Sequence, residues 1–207
     1  LREAKRLLEE TREEEAISLL DAARQTNPAD ARLWIALIRA HLESGEQERA
    51  RGLLNEARAQ GLDGFALDET DARVEAASGN IEGARTTLTR ARGRSGGDAR
   101  LIARAFMLEG ELEASLDNVD EALAAYEAAD AANPASAALQ VAASLALRSG
   151  RPTYARRSYG TLCKRDPEGP WCAQEARLSA KLRGDPAGPC SLDPLTVIEN
   201  ANRWGWP

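Results

Sequence analysis

The sequence predicts an all-α protein, a right-handed α-α superhelix of about five helix pairs with a capping helix and an irregular C-terminal tail. Three observations lead to this fold class. Apolar residues recur at helical spacing rather than in alternation, and small residues return at an interval near 34 positions. Aromatic residues make up only 4% of the chain, so β-strands have no candidate segment.

The repeated unit is clearest in residues 31–64, which contain one complete predicted helix pair. An aromatic residue stands early in the first helix, a glycine at the turn, and two alanines seven positions apart in the second helix. In order, the positions are Trp34, Leu37, His41, Gly45, Ala50, Leu54 and Ala57. Because small residues let two helices cross closely while larger ones fill the space beside them, this row predicts the same helix crossing in every unit.

The same spacing recurs along most of the chain. An equivalent alanine of each second helix occurs as Ala16, Ala50, Ala84, Ala122 and Ala155. These positions are 34, 34, 38 and 33 residues apart, which indicates five units. The longer third interval contains the glycine-rich stretch 93–98, and we expect this flexible connection to absorb the additional residues without disturbing either helix pair.

This pattern resembles the tetratricopeptide repeat family over roughly residues 1–167, with a further helix from 170 to about 182. The resemblance implies a helical repeat domain over 1–184 and a tail containing proline and tryptophan over 185–207. It also implies a protein that binds a protein or peptide partner rather than one that catalyses a reaction.

The chain departs from the family pattern at two points. The residue at the Trp34 position becomes Asp68, Phe106 and Leu139 in later units, and the usual first-helix glycine survives only as Gly110. Residues 33–59 are similar as well to the repeats of RNA-processing scaffolds, so a scaffold of that type stays open as an alternative.

Composition and charge restrict the function further. The net charge of −6, with 29% charged residues, argues against general affinity for nucleic acid, and no apolar run approaches the length of a membrane-spanning helix. Arginine outnumbers lysine by 24 to 3, a bias that accompanies high-GC coding sequence and favours a bacterial source. Because the sequence starts at Leu1 inside a predicted helix, we expect a mature or truncated product.

The three cysteines bear on the cellular compartment. Cys163 falls near the end of the fifth pair's second helix and Cys172 near the start of the following helix, so antiparallel packing predicts that they are close enough for a disulfide. Cys190 in the tail is an alternative partner for either, and three reduced thiols are the other interpretation. A disulfide favours an oxidising compartment. Three thiols without a nearby histidine do not complete a zinc site, so no metal is expected.

Catalytic groups are sparse. The single histidine, His41, occupies a first-helix position where the repeat family carries an aromatic residue, so we interpret it as structural. The stretch 93–97 lacks the preceding strand and the following Lys-Ser or Lys-Thr of a phosphate loop. Glutamates near the N-terminus alternate with arginines at helical spacing, as on a solvated face. We therefore expect no enzymatic activity and no cofactor.

The candidate contact surface is implied by the resemblance, because the first helix of each pair in such repeats lines a concave face. Projection of the repeat places there Arg32, Ile35, Arg39, Glu69, Arg73, Arg104, Met107, Glu111, Gln140, Ser144 and Arg148. The arginines among them fit a carboxylate or an acidic peptide, since the guanidinium fork matches carboxylate geometry. The opposing interpretation is that an arginine-rich chain places arginines on any exposed face. The lysine and asparagine set with which some family members clamp a terminal carboxylate is missing.

The tail is a second candidate contact. Trp204 and Trp206 lie within residues 191–207, together with several aliphatic residues, and we expect something to cover these rings. The favoured cover is the last helix pair, with a short helix over about 194–201. Insertion into a partner is the alternative.

Together these features favour a non-enzymatic interaction scaffold of the bacterial envelope, an assembly factor or structural subunit of a multiprotein complex. The expected location is periplasmic or extracytoplasmic, and a lipid anchor on a preceding segment belongs to this interpretation. The alternative is a cytoplasmic adaptor with reduced cysteines. The partner is expected to be a protein or peptide, not nucleic acid, and the chain itself is expected to contain no transmembrane segment.

Overall fold

The computed structural model describes residues 1–135 and 137–183, and within these residues every regular element is an α-helix. The all-helical prediction is therefore confirmed for this part of the chain, with five helix pairs and one further helix. The helices are α1 (Arg2–Glu9), α2 (Glu13–Thr26), α3 (Ala31–Glu43), α4 (Gln47–Ala59), α5 (Phe65–Ala77), α6 (Ile81–Gly93), α7 (Ala99–Ser115), α8 (Val119–Ala132), α9 (Ala138–Arg148), α10 (Pro152–Arg165) and α11 (Trp171–Arg183).

Contacts divide the chain into two compact units, Leu1–Leu101 and Ile102–Pro207, and α7 begins in the first unit and continues in the second. In the first unit consecutive helices pack on each other from α1 to α6, and α3 also contacts α5. The largest buried side chain of its core is Trp34, whose indole N–H donates to the carbonyl of Pro28 at 2.8 Å. This bond gives the ring's one polar group a partner, as a buried indole requires.

The second unit has its own core around Tyr126 and Tyr159, to which α7 to α10 contribute buried side chains. Helix α9 packs against α8 and α10, and α10 packs against α11. Helix α11 differs from the others because no residue in it is fully buried. It contributes Trp171 and Leu178, both partly buried against the core, so it covers the end of the array as the predicted capping helix.

The alanines that mark the repeat have the packing role expected of them. Ala16, Ala50, Ala84, Ala122 and Ala155 are all buried, with at most 1% of their surface exposed. A larger side chain at any of these points would hold the neighbouring helices apart, because interiors are packed without spare volume.

Each pair also turns at an equivalent residue with positive φ, five positions before the marker alanine. These residues are Thr11, Gly45, Gly79, Asp117 and Gly150, with φ of 58°, 74°, 78°, 60° and 71°. Glycine adopts this left-handed conformation without steric cost, whereas a residue with a Cβ atom adopts it only at a steric cost. The backbone geometry of the turn is therefore kept in the first and fourth units even where the glycine is not.

The predicted place of the longer repeat interval is wrong. The connections that precede α5 and α7 both contain five residues, and the helices α3, α5 and α7 begin at positions 31, 65 and 99, a regular interval of 34. The additional residues lie inside α7, which has 17 residues where α3 and α5 have 13. Four residues add about one helical turn, so the apolar face of α7 keeps nearly the same direction.

Candidate interaction surfaces

Three predicted contact residues lie on α3, in three different environments. Arg32 is exposed, and its Nη2 donates to Asp30 Oδ2 at 2.8 Å, which holds the pKa of the Asp30 carboxyl below its usual value. Asp30 also caps the helix by accepting from the Arg32 backbone N–H. Ile35 is half-buried against the core. Arg39 is half-buried, and no hydrogen bond or ion pair joins its guanidinium to another group in the described residues.

On α5 the predicted contact residues are Glu69 and Arg73. The structure buries Glu69, which is 5% exposed, so this side chain packs inside the unit instead of lining an accessible face. Arg73 is half-buried, with Nη2 at 3.9 Å from Glu69 Oε1. Two consecutive acidic residues of α5, Asp68 and Glu69, are thus both buried. Sequence spacing alone does not reveal the inward position of Glu69.

The second unit contributes the remaining predicted contacts. Arg104 and Arg148 are exposed, and Gln140 is half-buried. Met107 is only 4% exposed and belongs to the core around Tyr126, so it too packs inside and does not offer an accessible contact.

Four further predicted positions complete the set. Glu111 and Ser144 are half-buried. Trp204 and Trp206 of the predicted tail contact lie outside the described residues.

An ionic cluster that sequence analysis did not identify surrounds Asp68, which is fully buried. Arg58 Nη2 and Arg90 Nε donate to Asp68 Oδ1 at 2.7 and 3.1 Å. Arg94 Nε lies 3.4 Å from Oδ2, outside hydrogen-bond geometry, so this oxygen is held by charge attraction alone. Arg58 and Arg90 also donate to Asp71 Oδ2 at 3.0 and 2.7 Å. A buried carboxylate is tolerated only with such partners.

The repeat explains how this cluster arose in place of an aromatic residue. Asp68 stands 34 residues after Trp34, and Arg58 stands 34 residues after Arg24. The Arg24 guanidinium lies over the Trp34 ring at 4.5 Å from its centroid, as Arg58 lies against Asp68. In both units an arginine stands ten positions before this residue, and guanidinium groups bind both ring faces and carboxylates. That arginine is the sequence signal from which the cluster could have been predicted.

His41 is buried, and its Nδ1 lies 2.5 Å from Glu46 Oε2 in the adjoining turn. This contact ties the end of α3 to the residue before α4. The residue thus occupies the packed first-helix position that the sequence predicts for it.

Cys163 and Cys172 come together in the structure, with their Cα atoms 4.7 Å apart and their sulfur atoms at bonding distance. The pair joins α10 to the first turn of α11. Beside it, Trp171 stacks on Tyr159 with the ring centroids 5.9 Å apart. Cys190, the alternative partner, lies outside the described residues.

Two kinds of site are absent from the described residues, a membrane-spanning helix and a cluster of metal ligands. None of the helices in 1–135 and 137–183 combines the length and apolarity needed to cross a membrane. In the same ranges, no group of three or more His, Cys, Asp and Glu side chains is placed to hold a metal ion.

Two models of the tetratricopeptide repeat family match the sequence, over residues 7–67 and 70–137. No protein with a curated description matches it significantly. Among solved structures, a thermophilic tetratricopeptide repeat protein of Thermus thermophilus is similar at 22% identity and a TM-score of 0.60, covering 88% of this chain and 97% of its own.

Two further solved structures are similar to the chain. The C-terminal part of a repeat protein of Cytophaga hutchinsonii has 14% identity and a TM-score of 0.59, over 89% of this chain and 72% of its own. A repeat protein of Parabacteroides merdae has 16% identity and a TM-score of 0.53, over 100% and 78%. At these identities the similarities bear on the fold alone.

Proposed function

Because the chain belongs to the tetratricopeptide repeat family, we propose that it is a non-enzymatic scaffold, an assembly factor or structural subunit of a multiprotein complex of the bacterial envelope. Each helix pair in such an array packs on its neighbours and leaves one face to solvent, so the array offers extended surface for a partner. The expected activity is therefore the binding of another protein at this surface.

The observation that carries the proposal is the pair of arginines on adjacent first helices. Arg39 on α3 and Arg73 on α5 occupy equivalent points of successive units, and α3 contacts α5. Both side chains are half-buried and neither belongs to the core. Two such guanidinium groups can hold one partner carboxylate through charge-assisted hydrogen bonds.

The test begins with co-purification from the native source and identification of the proteins that accompany the chain. Replacing Arg39 and Arg73 together by alanine should then weaken binding by about 2–3 kcal/mol if the contacts are desolvated. The control is the double replacement of Arg2 and Arg100, two exposed arginines of the first unit. It removes the same charge and should leave binding nearly unchanged.

Two results would contradict this choice of surface. One is equal loss of binding in both double variants, which would indicate general charge attraction. The other is full binding by the Arg39 and Arg73 variant together with no binding after deletion of residues 191–207. That outcome would make the tail the functional element.

The envelope location is supported by the proximity of Cys163 and Cys172, since disulfides persist in oxidising compartments. The mass of native protein alkylated before and after reduction tests it. One bridge leaves a single thiol, Cys190, reactive before reduction. Three freely alkylated thiols would favour the alternative, a cytoplasmic adaptor that includes scaffolds of the RNA-processing type.

A further inference from the structure

Charge is distributed unevenly along the chain, and its distribution marks the last two described helices. Residues 151–183 hold eight lysines and arginines against three aspartates and glutamates, a net charge of +5 in a chain of net charge −6. The helix α10 itself contains four cationic side chains and no acidic one. A concentration of positive charge on an otherwise acidic protein raises the local concentration of anionic groups.

Part of this charge lines a groove between α10 and α11, namely three of the eight cationic side chains and one of the three acidic ones. The groove has a volume of about 490 Å³, within the range of pockets that bind small ligands. Seven of its residues come from α10 and one from α11, and they are Thr153, Arg156, Arg157, Gly160, Thr161, Cys163, Lys164 and Glu175. Steps of three or four positions link the α10 residues, in the rows 153, 156, 160, 163 or 164 and 157, 161, 164, so they form one face of the helix.

The cations of the groove are only partly neutralised. Arg156 lies 3.7 Å from Glu175, whose Oε1 also accepts from Ser179 at 2.7 Å. Arg157 donates to Glu127 at 2.9 Å, and both of these side chains are at least half exposed. Lys164 is exposed and pairs with no acid among the described residues. Exposed pairs of this kind are weak enough for a partner carboxylate to displace them.

We propose that this groove is a docking site for an acidic segment of a protein partner. The groove belongs to the second unit, whereas Arg39 and Arg73 belong to the first, and the proposal rests on the scaffold function only for the class of partner. Arg156 and Lys164 are eight positions apart, about 12 Å along the helix axis. An extended peptide spans that distance in about four residues, so the fitting segment carries carboxylates at that spacing.

The shape and charge of the site favour a short segment over an extended polyanion. A nucleic acid or an anionic membrane would lie along much of the surface, and the chain outside residues 151–183 carries a net charge of −11, the difference between −6 and +5. That charge repels a long polyanion, whereas two acidic side chains beside the groove, Glu175 and Glu127, are each paired with an arginine. Gly160 has no side chain, and a Cβ atom there would lie 3.6 Å from Glu175 Cγ, so the Glu175 side chain packs over the glycine.

The experiment titrates the full chain with an acetylated hexaglutamate peptide and follows the backbone amide signals by NMR, with hexaglutamine as the uncharged control. We expect shifts concentrated on residues 153–164, and affinity that falls with added sodium chloride. Exchanging Arg156 and Lys164 for glutamine should weaken binding about tenfold, because two charge-assisted contacts are lost.

Two variants separate the groove from general charge. Arg177→Gln with Lys181→Gln removes the same charge from exposed positions of α11 outside the groove, and should change affinity less than about twofold. Gly160→Leu leaves the charge intact and fills the groove, so it should abolish the shifts. Equal losses in the two double variants, full binding by Gly160→Leu, shifts concentrated away from residues 153–164 and Glu175, or no binding of hexaglutamate would overturn the proposal. Tighter binding of single-stranded DNA than of hexaglutamate would overturn the choice of a protein segment.

Failure here leaves the scaffold proposal standing, because that proposal is tested by Arg39 and Arg73 in the other unit. Conversely, hexaglutamate binding in the groove of the Arg39 and Arg73 double variant would show that the two surfaces act separately.

Discussion

Replacing Gly110 by alanine should lower the free energy of unfolding, although glycine inside a helix is normally the weaker residue. Gly110 lies within α7 against the ring of Tyr126, which is only 2% exposed. A Cβ atom at Gly110 would come to 2.6 Å from Cε1 and 2.8 Å from Cδ1 and Cζ of that ring. A packed ring in a core cannot move aside as the end of a flexible side chain can.

Two opposing effects set the magnitude. Alanine gains up to about 1 kcal/mol over glycine from helix propensity. Overpacking of a core costs about 1–3 kcal/mol. The contact involves three ring atoms at once, so we take the upper part of that range and expect a net loss of about 1–2 kcal/mol.

The assay is equilibrium unfolding in urea followed by far-ultraviolet circular dichroism. The matched control is Gly52→Ala in the middle of α4, where a Cβ atom meets nothing within 4 Å. This control should gain about 0.5–1 kcal/mol. A double-mutant cycle adds Tyr126→Leu, in whose background Gly110→Ala should no longer cost stability. If Gly110→Ala is as stable as Gly52→Ala, the steric argument fails.

Three other predictions concern the first unit. Thr11→Gly should raise the free energy of unfolding by about 0.5–1 kcal/mol, because Thr11 holds a φ of 58° against its Cβ atom; a urea midpoint below that of the parent would contradict this. Asp68→Ala should lower the free energy of unfolding by about 2–3 kcal/mol. The loss is smaller than for a fully buried ion pair, because the arginine partners of Asp68 are 31–41% exposed. Glu14→Ala on the surface should change the free energy of unfolding little. A hydrogen bond from Arg51 lowers the pKa of Glu75 below its ordinary 4.5, so the stability from this pair is present above that pH and is lost as the pH falls through the lowered value. Glu75→Gln should therefore lose less stability than the parent between about pH 5 and pH 3, and identical acid profiles would refute the assignment.

The repeat could be predicted from sequence because small side chains at fixed spacing have one physical role. Ala50 and its equivalents must be small for the helices to cross, so the five alanines locate the second helix of every pair. The proximity of Cys163 and Cys172 followed from the same logic, since consecutive antiparallel helices bring the two residues together.

Two properties could not be predicted from the sequence: the rotation of a helix about its own axis, and whether additional residues lengthen a helix or a loop. The interval between Ala84 and Ala122 is the same whether the four additional residues lie inside α7 or in the loop before it. Spacing therefore cannot distinguish the two arrangements. The inward positions of Glu69 and Met107 are of the first kind, because a modest rotation moves a side chain from a solvent face to a packed one. The groove on α10 needs α11 as its second wall, which no local pattern encodes.

The exchange of Trp34 for Asp68 against the same upstream arginine gives two neighbouring junctions different sensitivity to dissolved ions. At the junction of α2 with α3, the Trp34 ring lies beneath Arg24, which also pairs with Asp21 on its own helix, and apolar burial of this ring supports the junction. The junction of α4 with α5 relies on partly exposed guanidinium groups around one carboxylate, which counterions can screen. At high ionic strength the junction of α4 with α5 should loosen before the junction of α2 with α3. The salt concentration would then determine where the first unit opens.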